Sequence, residues 1–598
     1  MCGIAGYIGK KPAQNIVLDC LKKLEYRGYD SAGVGYLLNK GLYTVKVTGG
    51  VDNLKQALQK NATPSSVMIG HTRWATHGKV CTKNAHPQIS ENKKIAVVHN
   101  GIIENFLQLK QTLYLDGINL VSDTDTEVIP NLIMQKLKGK DYTIKNVLNA
   151  LNKVLPMLKG SFALCILIDN LNCLFIATKF SPLVIGKTNT GFMVASDIVG
   201  LPQKAQVYKL KDNTLGLVFK DGFKCYNFNL EPVILQKLDV KNNGLDTDIN
   251  GFSSFMEKEI NQGPSALLNT AQNILYNNAL SYIPKNAIES AKTFFICACG
   301  TALHAGRVLG YLLQKYCGIF CVVDYASEFR YKNNFLDKHS FCIFISQSGE
   351  TADTLGCLEL AKQSGAFCLG ITNVYTSRIS NMVDYCLFTS AGTENSVAST
   401  KAYIAQLCSA FLLTEWISKV LGKNIDYSYK DLLDVALCLK EDYYLKLQPV
   451  VNAIKDLQSL YILGRDIDYI TAQEGALKIK EVSYIHCEAM PLGELKHGSL
   501  ALFNNTTYAI VLLTQKELTQ KVISNIIEMQ SRGAHIILIT SQKVDIVVDF
   551  CIYINNKKDV FSPFVATKVL QQLALLLAKQ KNLNVDKPRN LAKSVTVE

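Results

Sequence analysis

The sequence predicts a mixed α/β protein in two parts: a first third of stacked sheets covered by helices, and a remainder holding two copies of a doubly wound parallel sheet. Three observations carry this expectation. Strand-like runs crowd residues 2–225 while helical patterns group in the middle, which favours sheet-on-sheet layering over βαβ alternation. From about residue 285 the order changes to apolar run, glycine loop, helical pattern. That order then occurs again, with Gly365-Ala366 and Gly533-Ala534 preceding the two third strands, which marks an internal duplication.

Taken in order, an alternating run follows Cys2, and residues 12–24 place Ile16, Val17, Cys20, Leu21 and Leu24 on one helical stripe. Tyr26-Arg27-Gly28-Tyr29-Asp30-Ser31-Ala32-Gly33 reads as a glycine-punctuated loop entering a strand through Val34 and Tyr36. Further strands are expected at 44–47, 67–69, 95–98, 162–168, 173–177 and 214–219, and helices at 103–115, 126–137 and 144–155. Residues 238–250 are polar and aperiodic and read as a linker. In the second part, strands are expected at 294–298, 341–345, 367–372 and 385–388, then at 460–464, 508–514, 535–540 and 547–554. The runs are short and apolar, as in sheets buried on both faces. The expected domains are 2–225, a linker with leading helices over 226–284, 285–425, 455–588, and a tail over 589–598.

Composition narrows the function classes. With 48% hydrophobic and 19% charged residues among 598, the chain can bury a large core. The longest apolar stretches, such as 573–578, are too short to span a bilayer. There is no basic segment followed by an apolar run at the start. The 18 cysteines are scattered, without metal-site spacing, and read as reduced thiols in the cytoplasm. A net charge of +13 suits anionic small molecules. The lysines are dispersed rather than clustered, which argues against nucleic acid.

Several positions carry chemistry. If Met1 is removed, Cys2 presents a thiol, of reference pKa roughly 8.5, beside a free α-amine of roughly 7.7–8.0. The amine can then act as the thiol's own base, with no histidine required. Three segments concentrate polar residues and are expected as loops: His71-Thr72-Arg73-Trp74-Ala75-Thr76-His77-Gly78, His99-Asn100-Gly101-Ile102-Ile103-Glu104-Asn105, and Ser122-Asp123-Thr124-Asp125-Thr126-Glu127, the last of which precedes a helix and read alone fits its cap better. The histidines show no metal-ligand spacing, and no metal is expected. Ser346-Gln347-Ser348-Gly349-Glu350-Thr351 follows a strand and opens a helix; read alone it fits a capping loop as well as a phosphate cradle built from its hydroxyls and orphan N–H groups, and its place after a strand of a duplicated fold favours phosphate. It lacks the Gly-Lys-Ser/Thr end of a nucleotide-binding P-loop. Lys478 and Glu481 are three apart on one helix face, a spacing that by itself favours a solvated ion pair.

Together the segments of the first third resemble the class II glutamine amidotransferase domain. The match rests on Cys-Gly-Ile at the start, Arg-Gly-x-Asp-Ser-Ala-Gly, Gly-His-x-Arg-Trp-Ala-Thr-x-Gly, His-Asn-Gly and Ser-x-Thr-Asp-Thr-Glu. The resemblance implies a four-layer αββα sandwich with an N-terminal nucleophile. It implies that Cys2 attacks the side-chain amide of L-glutamine, with Asn100 and the Gly101 N–H as oxyanion hole. Arg73 would hold the α-carboxylate, Thr76 and His77 would lie in the same shell, Asp125 would hold the α-ammonium, and Trp74 would gate the site.

The duplicated part resembles tandem sugar isomerase (SIS) domains, and the chain as a whole is similar to the isomerising glutamine–fructose-6-phosphate aminotransferase family. That resemblance implies fructose 6-phosphate as acceptor, bound by Thr301, Ser346, Gln347, Ser348 and Thr351, with Val397, Ala398 and Ser399 lining the sugar. Glu481 would move a proton between the first two sugar carbons, assisted by Lys478. His497 would open the ring from the neighbouring subunit of a homodimer. Lys593, in the tail, would form a Schiff base with the open-chain ketose, its pKa lowered by burial. No cofactor is implied. Ala302 and Ser499 depart from the family pattern, and Ser254 stands where the family often has histidine. Other class II amidotransferases need a Ser-Gly-Gly-x-Asp-Ser loop or a pyrophosphate-ribose loop, and the sequence has neither. A non-catalytic SIS-type sugar-phosphate sensor is the alternative, against which Cys2, Glu481 and Lys593 argue.

Overall fold

A computed structural model describes residues 2–25, 28–38, 41–59, 64–75, 77–238, 248–332, 335–375 and 377–595. Met1, Arg27, Thr76 and most of the expected linker, 239–247, lie outside the described residues. The chain divides into two compact units that part at Leu245–Asp246.

The first unit holds two antiparallel sheets. The eight-stranded sheet runs, in order, Lys237–Leu238, Gln206–Lys209, Val184–Thr188, Gly191–Ala195, Gly3–Gly9, Val67–Arg73, Ser31–Leu38 and Gly41–Thr48. The seven-stranded sheet runs Pro232–Val233, Phe223–Asn227, Thr214–Val218, Leu174–Lys179, Gly160–Ile168, Ile95–Ile103 and Gln88–Ile89. The strand after Cys2 shows why the layers form. Its side chains alternate faces: Ala5 and Tyr7 pack under helix Ala13–Leu24, while Ile4 and Ile8 meet Val98, Ala163 and Cys165 of the other sheet. Helices Val128–Lys136 and Ile144–Val154 cover the far side through Ile129, Ile133, Val147 and Leu151. The result is helix, sheet, sheet, helix, as the resemblance implied. Two strands beyond residue 225 belong to these sheets, since Lys237 and Leu238 pair with Tyr208 and Val207.

The second unit holds two five-stranded parallel sheets of identical order. One runs Cys321–Tyr325, Thr293–Ala298, Ser340–Ile345, Phe367–Thr372 and Tyr385–Phe388; the other runs His486–Pro491, Ser459–Gly464, Tyr508–Leu513, His535–Thr540 and Phe550–Tyr553. The first strand of each sheet was not anticipated. Both lie at an edge and are only partly buried, so they lack the apolar run that marks the inner strands. In each sheet the strand at the second position sends the chain to one side and receives its return on the other. The crevice beyond the carboxyl ends of that strand and its third-position neighbour is where such folds bind ligands. Helices Lys401–Val420 and Ser562–Gln580 fill the core between the copies, with Phe411 stacked against Phe561 and Phe564. Helix Ser562–Gln580 is long and apolar enough to cross a membrane, but it is buried within the protein.

Candidate active sites

In the first unit the thiol sits where two strands end. Cys2 leads into Gly3–Gly9, and Gly3 pairs with Thr72 in the adjacent strand. This brings the backbone N–H of Trp74 to donate to Cys2 Sγ at 3.2 Å. Asn100 Nδ2 donates to the Cys2 carbonyl oxygen at 2.8 Å, and its other N–H remains for a ligand. Burial pushes the Cys2 thiol up, opposed by the Trp74 N–H and the Arg73 charge. Gly101 has φ +127°, and a Cβ there would stand 2.0 Å from the Ser161 carbonyl oxygen. Only glycine fits that close approach.

Two of the three expected loops begin within strands. Val67–Arg73 takes in His71-Thr72-Arg73, and Ile95–Ile103 takes in His99-Asn100-Gly101, whose ladder to Gly160–Ile168 continues unbroken. Polar residues obscured these strands because their side chains face the site rather than solvent. The third segment is a turn preceding helix Val128–Lys136, and Asp125 there accepts from the Ile103 N–H at 2.8 Å.

Arg73 is 3% exposed. Its Nη2 donates to the carbonyls of His77 and Gly78, and its Nη1 is buried without a hydrogen-bond partner. Trp74 packs edge-on to Tyr29 at 5.7 Å, and His77 edge-on to Phe106 at 5.2 Å.

One residue of this site was missed. His71 is fully buried, and its Nε2 lies 2.9 Å from the His99 carbonyl and 3.1 Å from Asn100 Oδ1. Burial lowers its pKa to about 3, so the ring is neutral and Nε2 carries the proton. That proton holds Asn100 Oδ1, which turns Asn100 Nδ2 toward Cys2. The sequence carried the signal, a histidine two residues before Arg73, but its partner is 29 residues away and only the fold joins them.

The second unit gathers the remaining residues at the carboxyl ends of the first parallel sheet. Ser346 Oγ lies 2.8 Å from Thr351 Oγ1 and accepts from the Gly349 N–H at 3.1 Å. Ser348 Oγ accepts from the Glu350 N–H at 3.2 Å. The Gln347 carbonyl accepts from Asn373 N at 3.1 Å. Gly349 has φ +64°, and a Cβ would collide with Ser377 Oγ at 2.2 Å. Thr301 stands beside this loop, because Ala298 and Ile345 are register partners.

Helix Ile467–Ser483 of the second copy reaches across to the first. Glu474, Lys478 and Glu481 form one stripe along it. Lys478 Nζ is 2.6 Å from Glu481 and 3.5 Å from Glu474, and it donates to Thr301 Oγ1 at 2.8 Å. His304 Nδ1 meets Glu474 at 2.7 Å. The Lys478 and Glu474 side chains are 1% and 0% exposed, so this stripe is a buried network and not a solvated pair. Burial acts to lower the Lys478 pKa, but Glu474 and Glu481 outweigh it and hold the ammonium.

The chain just before the tail is fixed by Asp586, whose carboxylate accepts from the N–H groups of Phe255 and Met256 at 2.9 and 2.8 Å, capping helix Phe255–Asn261. Its carbonyl accepts from Val397 N at 3.0 Å. Ser254 also caps that helix, accepting from Glu257 N at 3.2 Å, which accounts for a residue the sequence left unexplained. Lys593 Nζ donates to Glu394 Oε2, and both side chains are buried. Glu394 further accepts from Ser399 Oγ at 3.0 Å, Thr400 N at 2.8 Å and Ala402 N at 3.0 Å. Ala398 is buried beside them. His497 lies apart, exposed at the end of the short helix Leu492–His497.

Glu259 is buried near Glu394, and its pKa is raised by burial and then by the Glu394 charge. The folded chain thus holds a proton that the unfolded chain releases near pH 4.3. The stability Glu259 contributes is complete below that pH and is lost as the pH rises through its elevated folded value. Glu259→Gln keeps the acceptor for the Asn395 and Ser396 N–H groups. Urea unfolding at several pH values is expected to show a smaller loss of stability between pH 5 and 8 in this variant than in the parent.

The comparisons agree with this architecture. The glutamine amidotransferase domain model matches residues 71–203, and the SIS domain model matches 287–415 and 453–578. The chain is 41% identical over 616 residues to the glutamine–fructose-6-phosphate aminotransferase [isomerizing] of Clostridium tetani, covering 100% of both chains. It is 40% identical over 617 residues to the protein of the same name from Caldanaerobacter subterraneus, again covering 100% of both. Among solved structures, the C-terminal domain of glucosamine-fructose-6-phosphate aminotransferase from Francisella tularensis is 34% identical, with a TM-score of 0.54, over 57% of this chain and 100% of that one. With end-to-end identity at this level and both domain types in the expected order, the chain belongs to the isomerising glutamine–fructose-6-phosphate aminotransferase family.

Proposed function

We propose that this protein transfers the amide nitrogen of L-glutamine to fructose 6-phosphate and isomerises the product, giving glucosamine 6-phosphate and glutamate. The observation that carries the reading is the pairing of Cys2 with Asn100 beside a buried arginine that has an unpartnered donor. With Met1 removed, the Cys2 α-amine takes the thiol proton, and sulfur attacks the glutamine side-chain carbonyl. The developing oxyanion is met by the second N–H of Asn100 and the N–H of Gly101. Collapse expels ammonia and leaves a glutamyl thioester, which water hydrolyses. Arg73 Nη1 suits one oxygen of the glutamine α-carboxylate, and Asp125 its α-ammonium, with Trp74, Thr76 and His77 around them.

At the second site the Ser346–Thr351 loop, with Thr301, holds the sugar phosphate through Ser346, Gln347, Ser348 and Thr351. Val397, Ala398 and Ser399 line the sugar. Lys593 condenses with the C2 carbonyl and releases water. Ammonia then displaces the lysine at C2, and Glu481, assisted by Lys478, moves a proton from C1 to C2. Glu394 accepts the lysine's hydrogen bond in the resting site, so forming the Schiff base requires that ion pair to open and a proton to leave Nζ. His497, exposed here, serves the neighbouring subunit's site in a homodimer, where it opens the ring. We place the domains at 2–225, 285–425 and 455–588, joined by 226–284 and closed by the 589–598 tail, with short strands of the first domain's sheets extending to Leu238. The unpaired state of all 18 cysteines suits a reducing, cytoplasmic setting.

Label from [amide-15N]glutamine is expected in glucosamine 6-phosphate, and its absence there despite glutamate release sinks the reading. Asn100→Ala is expected to lower kcat for glutamine hydrolysis by about 10²–10³ with KM little changed, measured as glutamate release.

A further inference from the structure

The duplication gives the second parallel sheet a crevice of its own. Beyond the carboxyl ends of Ser459–Gly464 and Tyr508–Leu513 lies a cavity of about 720 Å³. Four of its walls are counterparts of walls of the sugar-phosphate site. The strand residues Phe341 and Tyr508 hold the same register positions, opposite Phe367 and His535. Counting from them sets Leu513–Leu518 against the cradle Ser346–Thr351. The residue that opens the following helix in the first copy is Gly300, φ +53°; its counterpart is Asp466, φ +58°. Lys315 stands as far beyond Gly300 as Glu481 stands beyond Asp466. It reaches the second crevice from the first copy, just as Glu481 reaches the first crevice from the second. The loop carrying Lys558 before helix Ser562–Gln580 takes the place of the Glu394–Ser399 loop before Lys401–Val420.

The shape is thus retained while the chemistry is replaced. Leucine stands for Ser346 and for Thr351, and Lys516 for Gly349. Lys315 occupies the place of the proton-moving Glu481, so the base at that position is replaced by a cation. Cationic groups remain. The Arg465 guanidinium donates to Asn525 Oδ1 at 2.8 Å and lies against Gly493, where a Cβ would come within 3.1 Å. Its Nε is buried without a hydrogen-bond partner. Lys521 has no partner among the described residues. Asp466 keeps a conformation costly for a non-glycine residue, with its carboxylate accepting from Tyr311 Oη at 2.6 Å. Glu494 and Glu517 line the same space and can accept from hydroxyl or ammonium groups. A cavity in this size range, at a switch point, lined by an arginine with a spare donor, a lysine and carboxylates, matches a small molecule that carries phosphate and hydroxyls together.

We infer that this second crevice is a non-catalytic binding site for a sugar phosphate, its phosphate on Arg465 and Lys521 and its hydroxyls on Glu494 and Glu517. The ligand class rests on the proposed function through the duplication. The test is calorimetric titration of the full-length chain, without glutamine, by glucosamine 6-phosphate and separately by inorganic phosphate. Two binding events per chain are expected with glucosamine 6-phosphate. Lys521→Gln and Arg465→Gln are each expected to weaken one event at least tenfold and to leave glutamine-dependent synthesis at low product unchanged. Ser346→Ala combined with Thr351→Ala should remove the other event only. A single event, lost in the cradle variant and untouched by Lys521→Gln, overturns the second site while leaving the proposed function standing. Loss of neither event in the cradle variant would instead count against the proposed function. Inorganic phosphate competing as well as the sugar phosphate at the second site would overturn the sugar specificity. Lys521 is exposed, so its replacement does not threaten the fold.

Discussion

Cys2→Ser is expected to abolish glutamine hydrolysis, with a loss on the order of 10⁴–10⁶ in kcat, as when a nucleophile is removed from a concerted site. Serine keeps the size and the hydrogen bond to Trp74 N, so the fold should survive and the melting temperature should move little. The hydroxyl's far higher pKa puts it beyond the reach of an α-amine base. A glutamine-analogue electrophile provides the check. Intact mass should show one adduct on the parent chain, located on Cys2, and none on the variant. Most of the other cysteines are buried; burial pushes the Cys20 thiol, for example, up to about 12. Cys551 is exposed and serves as the control for nonspecific labelling. A Cys2→Ser chain that still releases glutamate at the parental rate would remove Cys2 from the chemistry.

Lys593→Met is expected to separate the two half-reactions. Glutamate release should persist, while glucosamine 6-phosphate formation falls on the order of 10⁴-fold or more, because no amine remains to form the Schiff base. Borohydride reduction in the presence of fructose 6-phosphate should add one sugar mass to the parent and none to the variant. A fully active variant would end the assignment. Stability is affected as well, since removing one partner of a buried ion pair costs about 3–5 kcal/mol. The lower end is expected, because Glu394 keeps its bonds from Ser399, Thr400 and Ala402. The sign with pH follows from Glu394. Burial raises its pKa, but Lys593 and the backbone N–H groups outweigh that and hold it below the ordinary carboxylate value. Its stabilisation is therefore present above roughly pH 4.3 and is lost as the pH falls through the depressed folded value. In Lys593→Met that acid-side contribution should shrink, so the gap in stability between parent and variant should narrow as the pH is lowered from 6 to 3.

Much of this was legible in the residues alone. A thiol beside the chain's own amine, a hydroxyl-rich turn between strand and helix, and a repeated order of apolar runs are local or periodic features, and local features survive in one dimension. The layered first unit and the duplicated parallel sheets followed from them. The edge strands Cys321–Tyr325 and His486–Pro491 did not, because half-buried positions carry no continuous apolar signal. The strand character of His71–Arg73 and His99–Gly101 was hidden for a related reason: residues turned toward a polar site look like loop.

What only the tertiary structure decided is which groups meet across long separations. Lys478 and Glu481 read by themselves as a surface pair, and only the fold places Glu474, Thr301 and His304 around them. Glu394 and Lys593 are 199 residues apart, and no spacing rule links them. His71 gained its role from Asn100 on another sheet. The composition and order of the residues determined which chemistry the chain can carry and how many times it repeats. Burial, which changes the cost of a charge according to its neighbours, determined which of those residues act together.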